Sequence, residues 1–168
     1  MENTVYCLAS SEPQANEILT HLRNLGFAPS EISVLLKTKE TKNITVEEDV
    51  IRGAKKGVFA GGVFGVVAGL TALSIPAIGP LLAAGPIVAA LTGAAAGGVV
   101  GALAGGSGAL ARLVGIPERD AKRIEQTIHD GGILVAVHSD DPLRRDKALR
   151  VFKSSGAEEI YSAEDLAA

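Results

Sequence analysis

The sequence predicts an α+β fold: a sandwich of two strand–helix–strand units, interrupted by a long glycine-rich apolar α-hairpin. Three observations carry this prediction. Thr4–Ala9 and Ile133–His138 are short apolar runs, each followed by a capping residue, a proline and an amphipathic helical pattern that stops at a glycine. All the charged residues lie outside 57–111. That same stretch holds 14 of the chain's 20 glycines, many of them four residues apart.

The first unit starts with Thr4–Ala9, whose unbroken apolar character fits a buried strand. Ser11-Glu12-Pro13 then reads as an N-cap with acidic and proline residues in the first turn. Ile18, Leu19, Leu22 and Leu25 recur at helical spacing, and Gly26 occupies the C′ position that favours glycine. Ile32–Leu36 is the second strand, and Lys37–Glu48 is a polar linker. The second unit repeats this order with strand Ile133–His138, helix Arg144–Ser154, stop Gly156 and strand Glu159–Ser162. A shift of 129 places Pro13 on Pro142, Glu12 on Asp141 and Ser10 on Ser139. Two such units predict a ferredoxin-like sandwich, a four-stranded sheet with helices on one face, split between 1–48 and 117–168. A polar helix starting at Pro117 presents Ala121, Ile124 and Ile128 inward and ends at Gly131-Gly132.

The insertion spans 50–114. Gly53, Gly57, Gly61, Gly65 and Gly69 form one ladder; Gly85, Ala89, Gly93, Gly97, Gly101 and Gly105 form another. Residues four apart share a helical face, so each arm carries a ridge almost bare of side chain. Glycine is about 1 kcal/mol worse than alanine inside a helix, so a ladder of them needs a reason. Close packing of helix backbones supplies one. The first arm runs over about 50–73, with Phe59, Val63, Val66, Leu70 and Leu73 opposite the glycines. Pro76, Pro80 and Pro86 make 74–86 a turning linker. The second arm runs over about 87–114.

Both arms are long enough to span a bilayer, which takes about 20 apolar residues. Arg52, Lys55 and Lys56 at one end and Arg112 at the other predict that both ends face the cytoplasm. Against this, Gly and Ala contribute little to insertion, and the linker has no Trp or Tyr to anchor it. The same glycines suit the dry core of a soluble oligomer. Either reading predicts self-association, with the chain itself and the lipid bilayer as partners.

Composition excludes several other classes. The net charge of −3 and the scarcity of aromatic residues argue against nucleic acid. The single cysteine, Cys7, excludes an intramolecular disulfide and fits a reducing compartment. MENTVYCLASSEPQ has neither a basic n-region nor a long apolar stretch, which predicts no secretory signal. His138-Ser139-Asp140-Asp141 is the most suggestive polar cluster, yet it reads first as a strand end followed by helix capping. His21 and His129 read as surface residues, and Cys7 as a small core residue. Neither a phosphate-binding loop nor a GxGxxG turn is present. The expectation is therefore a non-enzymatic protein with no cofactor, metal or small-molecule substrate.

The stretches GPLLAAGPIVAALTGAAAGGVVGALAG (79–105), GIPERDAKRIEQTIHDGGILVAVHSDD (115–141) and GAEEIY (156–161) resemble a bacterial family of general stress or low-temperature-induced proteins. The resemblance implies a split ferredoxin-like domain with an apolar hairpin and a stress-related, membrane-associated role. The implied location is the bacterial inner membrane with a cytoplasmic head, or a cytoplasmic soluble assembly. It supplies no catalytic residues. A ligand- or partner-binding sensor tethered by the hairpin is the other function class that fits.

Overall fold

The computed structural model describes residues 3–37, 71–75, 79–87 and 118–162. They build one six-stranded sheet covered on both faces. The strands are β1 (Thr4–Ala9), β2 (Ile32–Lys37), β3 (Thr71–Ile75), β4 (Gly79–Ala84), β5 (Ile133–His138) and β6 (Glu158–Tyr161); the helices are α1 (Glu12–Asn24), α2 (Glu118–His129) and α3 (Pro142–Ser154). The order across the sheet is β3-β4-β2-β5-β1-β6, and every neighbouring pair is antiparallel. Helix α1 connects β1 to β2 across β5, and α3 connects β5 to β6 across β1.

The two connections share their local chemistry. Ser11 caps α1 by accepting from the Gln14 amide, and Asp141 caps α3 by accepting from the Leu143 amide. Each helix then closes with the same pair of bonds: Phe27 N to Leu22 O and Gly26 N to Arg23 O in α1, Ala157 N to Phe152 O and Gly156 N to Lys153 O in α3. Ser11 thus answers to Asp141, so the helix starts lie one residue further apart than the alignment of Pro13 with Pro142 implies. The prolines occupy different positions in the two first turns.

Three expectations need correction. First, the sheet has six strands rather than four, because β3 and β4 come from within the insertion. Residues 71–73, expected to end a helical arm, pair instead with β4, Thr71 opposite Ala83 and Leu73 opposite Leu81. The expected linker supplies β4, which pairs with β2 from Val34–Ala84 to Lys37–Leu81. Unpaired backbone at a sheet edge is a strong template, and here it outweighs the helical spacing of the glycines. Pro80 fits because it stands near the start of its strand.

Second, α1 and α3 share one face as expected, but α2 covers the opposite one. Val5, Cys7, Val34, Val135 and Val137 pack under α1 and α3 with Ile18, Leu22, Val151 and Phe152. Tyr6, Leu8, Leu35, Leu134 and Ala136 point the other way, against Ile124 and Ile128 of α2. This explains why β1 is buried at all six positions: a strand covered on both faces needs apolar residues at every position rather than alternate ones.

Third, Gly85 is not a rung of a helical ladder. It makes the turn out of β4 at φ 83. The other ladder residues (Gly53, Gly57, Gly61, Gly65, Gly69, Ala89, Gly93, Gly97, Gly101 and Gly105) lie outside the described residues, as do the two arms apart from 71–73 and Ile87.

The far edge is irregular. Between Tyr6–Tyr161 and Leu8–Glu158 the pairing slips by one residue, and Glu159 takes φ 51 within the slip. Arg123 of α2 holds this bulge, with Nε 2.8 Å from Glu159 Oε1 and Nη2 donating to the Tyr161 hydroxyl at 2.7 Å. A bulge and two acidic residues blunt that edge against further strand pairing.

Candidate functional site

A polar chain closes one end of the core beneath α2. Thr4, Ser33 and His138 sit on neighbouring strands β1, β2 and β5. Their side chains share a face because Thr4 lies opposite His138, and Ser33 lies opposite Ala136, two residues from His138. His138 Nδ1 is 3.0 Å from Thr4 Oγ1, and Nε2 is 2.7 Å from Ser33 Oγ. Ser33 Oγ also accepts from the Ile87 amide at 2.9 Å. The chain therefore links β1, β5 and β2 to the backbone that follows β4.

Burial sets the electrostatics. Thr4 and Ser33 are buried, Ser33 completely. Burial lowers the His138 pKa from its ordinary value, and the positive charge of the chain's amino terminus lowers it further. The ring is thus favoured in its neutral form, with one nitrogen donating and the other accepting. The tautomer that donates from Nδ1 to Thr4 Oγ1 and accepts at Nε2 from the Ser33 hydroxyl suits the site, because Ser33 Oγ already accepts from the Ile87 amide.

The pair superficially resembles a serine nucleophile with its base, but its surroundings point elsewhere. A neutral threonine hydroxyl stands where a carboxylate would stabilise an imidazolium. Ser33 Oγ has no exposed surface and is already engaged by a backbone amide. The arrangement positions strands rather than activating an oxygen.

The sequence cluster 138–141 is divided by the fold. His138 turns into the core end, while the others build the start of α3. Asp141 Oδ1 accepts from Leu143 N at 2.9 Å, Ser139 Oγ accepts from Asp141 N at 3.3 Å, and Asp140 accepts from Asn3 Nδ2 at 2.7 Å. Arg145 Nη1 donates to Ser139 O at 2.9 Å. His21 and His129 lie on the surface. Cys7 is buried in the α1–α3 core, where burial drives its thiol pKa far above the usual range; it has no thiolate character with which to react. Tyr6 is likewise raised, to about 12, by burial.

Sequence reasoning missed Thr4 and Ser33. Neither carries a local signal, and only the strand order brings them to His138. Among the described residues, no group of three His, Cys, Asp or Glu side chains could hold a metal ion, and no helix is long and apolar enough to cross a membrane. No family model, curated protein or solved structure matches this chain.

Proposed function

We propose that this chain is a non-enzymatic, self-associating protein. Its glycine ladders, within 50–114, drive homo-oligomer assembly or seat it in a lipid bilayer, and the sheet domain forms the head. The observation that carries this reading is the stretch 57–111, which lacks any charge and repeats small residues every fourth position. An isolated chain in water would expose an apolar surface far larger than monomers tolerate.

The described head supports the reading from its side. The sequence leaves the sheet after β2, returns for β3 and β4, and leaves again after Ile87 before α2. The first ladder precedes β3 and the second follows β4, so both are joined to the same hairpin. Assembly through the ladders therefore bears on that edge of the sheet. The interleaved connections β1-α1-β2 and β5-α3-β6, with strands ordered β2-β5-β1-β6, support a ferredoxin-like reading of the head. The likeness of 79–105, 115–141 and 156–161 to general stress proteins supports a stress-related role.

Gly61→Leu and Gly97→Leu test the ladders directly. A leucine on a packing ridge forces helices apart. Each variant is expected to reduce the particle mass measured by light scattering while circular dichroism of the head is unchanged. Unchanged particle size in both would count decisively against the ladders as the assembly surface.

A further inference from the structure

We propose that His138 and Ser33 form a pH-sensitive latch on Ile87, and that protonation of the ring releases the backbone where the chain passes from the sheet into its second glycine ladder. The argument rests on hydrogen-bond accounting at Ser33. The hydroxyl has one proton, and its oxygen already accepts from Ile87 N at 2.9 Å. With a neutral ring, that proton is satisfied by His138 Nε2 at 2.7 Å. A protonated imidazole has no acceptor left, so Nε2–H donates to Ser33 Oγ instead. The serine proton must then turn away inside a site with no exposed surface, where an unmade hydrogen bond is costly. The oxygen must also serve two donors at once. The bond to Ile87 is the one to yield: it is the longer of the two, 2.9 Å against 2.7 Å, a cationic ring competes for the shared oxygen more strongly than an amide, and Ile87 lies beyond the end of β4 whereas Thr4, Ser33 and His138 are held in strands.

Among the described residues, no carboxylate hydrogen-bonds the ring, and the buried Glu125 of α2 is not among the groups that shift it. β1 offers the ring the Thr4 hydroxyl and β2 offers the Ser33 hydroxyl. Gly85 and the helical residues Pro86 and Ile87 offer no titratable side chain. Within the loop after His138, Asp140 is held by Asn3 and Asp141 caps α3. The remaining influence is the amino-terminal charge, which repels a proton.

The direction of the response follows. His138 binds protons more weakly in the folded state than in the unfolded one, so the latch is complete above the ordinary histidine value of 6.5 and is lost as pH falls through the lowered folded value. Residue-resolved hydrogen–deuterium exchange on the full chain, corrected for intrinsic rates, reads this out. Between about pH 7.5 and about pH 5, the range in which histidines titrate, protection of the Ile87 amide is expected to be lost progressively as pH falls. The Val135 amide, in mid-β5, should stay protected throughout.

His138→Gln keeps a polar side chain without the titration and should make Ile87 protection independent of pH. Ser33→Ala should leave Ile87 unprotected at every pH. Should His138→Gln fail to fold, Ser33→Ala together with the wild-type pH series still decides the matter. Constant Ile87 protection in the wild type, the same pH response in His138→Gln, or a protected Ile87 in Ser33→Ala would each overturn the latch.

Discussion

Replacing Gly85 by alanine destabilises the head by about 3 kcal/mol, combining the left-handed backbone penalty with overpacking against neighbouring backbone. Two separate costs meet at this residue. Its φ of 83 lies where residues with a Cβ are disfavoured. An added Cβ would also overlap the Ile32 carbonyl oxygen and lie 2.9 Å from both Ile32 C and Ser33 Cα. These are backbone atoms of β2, so relief requires β4 to move away from its partner strand. Gly26 separates the two costs: it has a similar φ of 82, but a Cβ there would meet nothing within 4 Å. Gly26→Ala should therefore lose only about 1 kcal/mol, the dihedral component alone. Denaturant midpoints of the two variants measure the difference; equal losses would show that the close approach to Ile32 contributes nothing.

Truncating Phe152 to alanine is expected to cost 3–5 kcal/mol, the usual range for a buried aromatic side chain. Phe152 is completely buried on the inner face of α3, in the cluster with Leu19, Leu22 and Val135. Its own carbonyl accepts the Ala157 amide that closes α3, so the helix end cannot readily collapse into the space. Leu143, near the other end of the same helix, is 69% exposed. Leu143→Ala should move stability by less than about 0.5 kcal/mol, as surface changes do. Chemical denaturation of both variants checks the contrast, and a loss below about 1 kcal/mol for Phe152→Ala would mean that the α1–α3 layer is not the main core.

Much of the head is legible in the sequence because its signals are local. Ser11, Asp141, Gly26 and Gly156 mark the helix ends through their own hydrogen bonds and dihedrals, and the runs TVYCLA and ILVAVH mark two neighbouring interior strands. Those runs also held information on layering. Unbroken apolar character in β1 and β5 implies cover on both sides, and α2 supplies the second cover through Ile124 and Ile128. What stays hidden is decided by distant parts of the chain. TALSI and GPLLAA carry no strong strand pattern, and the fourfold glycine spacing around them argues for helix. They become strands through pairing with β2, an interaction that no short window contains. The link from Thr4 through His138 and Ser33 to Ile87 is hidden for the same reason, since its members meet only once the strand order is known.

The most direct test of the central claim is the mass of the native full-length particle. Light scattering is made on the detergent-free soluble fraction or, where the chain stays in carbonate-washed membranes, on the detergent-extracted protein after subtraction of bound detergent. The account predicts a monodisperse species at a multiple of the 17.2 kDa chain mass, with the fraction in which it is found showing whether lipid or protein covers the ladders. A stable monomer of 17.2 kDa would contradict it, because the uncharged stretch 57–111 would then be satisfied within a single chain and the glycine ladders would have no partner to pack against.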